Sequence, residues 1–111
     1  MDNRLPTEVT VSACLRQCSA RAIPAYVLHK GAAASGTIMV KIVLPRKQCK
    51  FLNQSRDIDG NLGWMHVFDE EIVDEKRADD YISRSIQRDP DVWVVEVEDA
   101  SGESPFEGKI F

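Results

Sequence analysis

Not one acidic residue lies between Val9 and Arg56. The first half of the chain (1–56) carries nine Lys/Arg against two acids, and the second half (57–111) five against sixteen. Charges of +7 and −11 are thus hidden inside a formal net charge of −4 and a pI of about 5.1. The net acidity argues against binding a polyanion over the whole surface, but the split leaves a local basic surface open. Long hydrophobic runs are also missing. The longest mostly apolar stretch, Ile38 to Leu44, is interrupted by Lys41 and falls far short of the roughly 20 residues that span a bilayer. MDNRLPTEV lacks the apolar centre of a secretory signal. Cysteine is scarce and odd in number, so the three cannot all pair within the chain, and a reducing compartment fits them best. The expectation is a cytoplasmic protein without membrane contacts. GxSxG, HExxH, the P-loop and GxGxxG are absent as well, which removes the usual grounds for proposing a hydrolase, a zinc protease or a nucleotide site. No catalytic residue and no cofactor are nominated.

What is present reads as one domain over residues 1–111, with 43% apolar and 29% charged residues. Val11, Cys14, Leu15, Cys18 and Ala22 recur at helical spacing after Thr7, a candidate N-cap, and predict a helix over 7–22. Four strand-like runs follow: 25–30, the β-branched 37–44, then 48–55 and 64–68. Their short connections suit an antiparallel meander. Ala78, Tyr81, Ile82, Ser85 and Ile86 form the stripe of a second helix, with acids at its start and Arg84 and Arg88 near its end, as the helix dipole favours. Residues 91–98, DVWVVEVE, are the strongest strand signal. The order α-β-β-β-β-α-β predicts an α+β fold of two layers, with both helices on one face of a mostly antiparallel sheet of about five strands. The other face would carry mixed residues such as Thr37 and Lys41.

Several groups are candidates for chemistry. Cys14 and Cys18, four apart on one helical face, could join Cys49, His29 or His66 around a metal. They also lie on the stripe assigned to the core, where a small thiol packs as a hydrophobe, and that reading is preferred. Cys49, between Lys47 and Lys50, is the candidate for an activated thiol. Asp57, Asp59 and Asn61 start like a calcium loop, but Leu62 stands where its glycine belongs and Phe68 where its last glutamate belongs, so a hairpin turn is expected. The basic set Lys41, Arg46, Lys47, Lys50 and Arg56 is the alternative site, a surface for single-stranded nucleic acid. The competing expectation is that these charges are neutralised by the acidic second half.

Two segments resemble a known family. RLPTEVTVSACLRQC (4–18) and DPDVWVVEVEDASG (89–102), approached by YISRSIQRDPD, are similar to the end signatures of domain of unknown function 1491, an alphaproteobacterial family. The resemblance runs from Arg4 to about Gly102 and implies a small bacterial cytoplasmic protein, with no catalytic residue or ligand to carry over. The leading functional expectation is a non-enzymatic domain acting through protein contact, with a homodimer as the simplest partner because a small sheet leaves edge strands exposed. Nucleic-acid binding is the alternative, and a thiol or metal enzyme the second alternative.

Overall fold

The computed structural model describes residues 5–111. Met1 to Arg4, where the N-terminal signature begins and the leader reading was made, lie outside them. Helix α1 spans Thr7–Ala20, followed by strands β1 (Ala25–His29), β2 (Ile38–Leu44), β3 (Gln48–Arg56) and β4 (Leu62–His66). The two-residue strand β5 (Val73–Asp74) leads into helix α2 (Glu75–Arg88), and β6 (Trp93–Glu98) follows. The fold is α+β, and the sheet is mostly antiparallel in the order β1-β6-β2-β3-β4, with β5 paired to β3.

The meander holds for β2, β3 and β4, which pair in chain order. β6 then returns to the middle of the sheet, parallel to β2 on one side and antiparallel to β1 on the other. Its composition explains that place. A central strand is covered on both faces, so it reads as a near-continuous apolar run rather than an alternation. Trp93, Val95 and Val97 point to one face and Val94 to the other, all buried.

The expected two layers are corrected to three. α1 packs Val11, Cys14 and Cys18 on Ile38, Val40, Ile42, Leu52, Val95 and Val97. α2 packs Ala78 and Ile82 on Met39, Cys49, Phe51 and Val94, which alternate with the first set and so face the other way. The apolar residues of β2, β3 and β6 fall on both parities, so two faces need cover and one helix serves each. Every fully buried Val, Ile or Phe side chain contributes about 1.5–3 kcal/mol, and both faces supply several.

Thr7 is not the N-cap. Pro6 holds that position and Thr7 opens the helix. The first-turn amides of α1 reach across instead: Glu8 N–H donates to the Ala33 carbonyl at 2.9 Å, and the Thr7 hydroxyl donates to the Gly36 carbonyl at 2.7 Å. The loop between β1 and β2 therefore caps the helix. That loop lies tight against β6, where Trp93 Nε1 donates to the Ala32 carbonyl at 2.7 Å. A Cβ on Gly36 would collide with the Asp91 carbonyl, so the close approach requires glycine.

Candidate functional site

The two edges of the sheet are finished differently. Beside β4, the C-terminal tail supplies backbone partners: Trp64 N–H donates to the Lys109 carbonyl and Phe111 N–H to the Trp64 carbonyl, both at 2.8 Å. Trp64 and Ile110 form a parallel bridge there. Beside β1, no strand among the described residues occupies the outer edge. Glu98 N–H donates to the Pro24 carbonyl at 2.9 Å, and Tyr26 aligns with Glu96. In an antiparallel ladder the hydrogen-bonded pairs alternate, so the main-chain groups of Ala25 and Val27 are directed outward. The side chains there are apolar: Tyr26 is 48% exposed, Val27 38% and Leu28 45%. Pro24 and Lys30 flank the strand, residues that discourage pairing only at its two ends.

The sequence-nominated basic residues do not come together. The Lys41 side chain is 3% exposed and its Nζ lies 2.7 Å from Asp79, 2.8 Å from Glu75 and 3.1 Å from Glu96. It has no face to offer a phosphate. Lys50 is half-buried and paired with Glu71 at 3.0 Å. Arg46 and Lys47 are exposed in the β2–β3 loop, both at positive φ (65° and 58°), whereas Arg56 ends β3. At about 3.3 Å per residue, β3 holds Lys47 and Arg56 roughly 30 Å apart. The basic and acidic halves do meet, on the α2 face at Lys41 and beside β3 at Lys50. That juxtaposition was beyond the sequence pattern because it depends on the parallel β2–β6 register and on where α2 docks.

The thiols sit in the core. Cys14, Cys18 and Cys49 are free and buried. Burial, with Cys18 beside it, pushes the Cys14 thiol up to about 12, and burial pushes Cys49 up to about 11 despite the ammonium of Lys41 nearby. Among the described residues, no three His, Cys, Asp or Glu side chains converge as a metal site requires. Burial thereby disfavours the thiolate at Cys14 and Cys49 and shields all three sulfurs from reagents. A thiol-reactive disulfide at pH 8 is expected to modify none of the three in the native protein within the time that modifies all three in urea. One fast native thiol would overturn the core assignment.

The remaining candidates are structural in geometry. Asp57 Oδ1 accepts from the amides of Asp59 (2.9 Å) and Asn61 (2.8 Å), with Gly60 at φ 84°. This is a carboxylate-capped turn between β3 and β4, and hydrogen bonds from Asn61 and Asp59 hold its carboxyl below the usual range. His29 Nδ1 lies 2.7 Å from the Val92 carbonyl. His66 Nδ1 is buried without a partner among the described residues.

A small α+β fold with a three-layer core, whose outer strand β1 has no further strand beside it among the described residues, is the class this geometry defines. The sequence profile of a family described as protein of unknown function (DUF1491) matches residues 5–107, and the chain belongs to that family. It is similar to a crystal structure of a DUF1491 family protein from Caulobacter crescentus CB15, with TM-score 0.87 and 30% identity over 97% of this chain and 100% of that one. An NMR structure of a DUF1491 family protein from the same organism gives TM-score 0.83 at 30% identity, over 96% of each chain. A solution structure of a protein from A. tumefaciens shares the fold, with TM-score 0.73 at 23% identity, over 96% of this chain and 97% of that one. A search among curated proteins returned no match. No helix of the described residues is long and apolar enough to cross a membrane.

Proposed function

We propose that this chain is a cytoplasmic protein-contact module without catalytic activity, which self-associates by pairing β1 with β1 of a second copy. The observation that carries the reading is the outer edge of β1, with outward main-chain groups at Ala25 and Val27 between the exposed side chains of Tyr26 and Leu28. Antiparallel pairing about Val27 satisfies those donors and acceptors reciprocally and continues the sheet through a two-fold axis. It also removes the apolar side chains of three consecutive residues from water. At the opposite edge the tail takes both main-chain groups of Trp64, the middle residue of β4, which obstructs that edge and favours association that stops at two copies.

Light scattering across a concentration series tests this directly. The native chain is expected to shift to twice its monomer mass, and Val27→Pro, which removes an outward donor, to remain monomeric with its circular dichroism intact. A second variant, Leu28→Lys, leaves the backbone untouched and is expected to weaken association about tenfold or more. A monomer at every concentration would overturn the reading.

A further inference from the structure

A cleft of about 650 Å³ opens between α1 and the β3–β4 end of the sheet, on the α1 face and away from β1. The volume falls in the range of small-molecule sites. It exists because the helix presents small side chains there, Thr10, Ala13 and Cys14, while the tail arches across and lays Phe106 on Trp64 with ring centroids 5.0 Å apart. One wall is therefore flat and apolar.

The polar groups around it are unevenly spent. Three acceptors are taken: the Glu107 carbonyl receives Trp64 Nε1 at 3.0 Å, the Gly36 carbonyl receives the Thr7 hydroxyl, and Gln54 Oε1 receives the Ile38 amide at 3.3 Å; the exposed Glu107 also lines the cleft and brings one carboxylate to it. The donors are not all taken. Gln54 keeps both N–H groups of its amide. Arg56 commits Nη1 to the Gly60 carbonyl at 2.8 Å and makes no ion pair among the described residues. A guanidinium has five donors in a planar fork, which suits an oxyanion. Surplus donors beside an aromatic wall select a ligand with acceptor oxygens and a flat body.

We infer that this cleft binds a small organic anion, its carboxylate, phosphate or sulfonate at Arg56 and Gln54 and its apolar body against Trp64 and Phe106. The site stands apart from the sheet-edge contact and does not depend on it.

The probe is 1-anilinonaphthalene-8-sulfonate, with uncharged N-phenyl-1-naphthylamine as its control, titrated into the 111-residue chain by fluorescence. The anionic dye is expected to bind saturably with one site per chain. Arg56→Gln is expected to weaken it about tenfold, the loss of one charge-assisted contact, while leaving the neutral dye unchanged. Thr10→Phe fills the cleft and is expected to remove both. Gln17→Trp, at an exposed position on the rim, serves as a second filler whose folding is not at stake. Tyr26→Ser, on the distant edge, is expected to change neither. Absence of saturable binding, equal weakening of both dyes by Arg56→Gln, survival of binding in the fillers, or its loss in Tyr26→Ser would each overturn the assignment.

Discussion

Lys41→Met is expected to lower the unfolding free energy by about 3–5 kcal/mol, the range for removing one partner of a buried ion pair. Methionine keeps most of the volume of the lysine stem, so the loss isolates the charge. Without the ammonium, Glu75, Asp79 and Glu96 lose the counter-charge they share. Glu96 suffers most, because its side chain is 19% exposed against 54% for Asp79. Urea unfolding measures this as a lower midpoint at unchanged slope. Adding Glu96→Gln to Lys41→Met is expected to recover part of the loss. A cost for Lys41→Met below about 1 kcal/mol, the worth of an ordinary surface pair, would mean that the cluster does not anchor α2.

The pH dependence has a definite sign. Burial alone would lower the pKa of Lys41, but the hydrogen bonds it donates to Asp79, Glu75 and Glu96 outweigh it and hold the ammonium above its ordinary 10.5. A raised folded value gives stability that is complete below the unfolded pKa and is lost as pH rises through the folded one. Cys14 and Cys49 act in the same direction, from 9.0 upward to about 12 and about 11. Stability is therefore expected to decline from about pH 9. The gap between wild type and Lys41→Met is expected to stay constant through neutral pH and to narrow only above 10.5.

The same cluster marks how far the fold could be read from the residues alone. The alternation in β2 correctly set Lys41 on the face opposite Ile38, Val40 and Ile42. Lys41 and Thr37 make that face read as mixed, and two amphipathic helices placed together on the other face give two layers. The carboxylates around Lys41 belong to α2 and β6, and only the tertiary arrangement brings them to it. Local signals succeeded where the cause is local: the stripe of α2, the apolar run of β6, the Asp57 turn and the burial of Cys14 and Cys18. They failed at β5, two residues long, and at the tail, whose FEGKIF has no period. The free edge of β1 was legible only as a property of small sheets. Which strand is left at the edge depends on β6 entering between β1 and β2. The cleft left no sequence signal, since its walls come from five separated segments.

Trp64→Ala is expected to cost about 3–5 kcal/mol, as for other buried large aromatics, and to free the tail. The indole is buried, stacks on Phe106 and donates to the Glu107 carbonyl. The main-chain bonds to Lys109 and Phe111 are then left to hold the tail on a single strand edge. Hydrogen exchange at the Phe111 amide is expected to rise toward that of an open chain, whereas Trp64→Phe, which keeps a ring on Phe106 and loses only the N–H, is expected to retain most of the protection. Protection unchanged in Trp64→Ala would show that the backbone ladder alone closes this edge. The distinction bears on assembly. If β1 pairs as proposed and Trp64 secures the tail, removing residues 103–111 gives the sheet a second open edge. Two edges on one chain no longer close at two copies, so light scattering of the truncated chain is expected to show growth past the dimer, while the untruncated chain stops there.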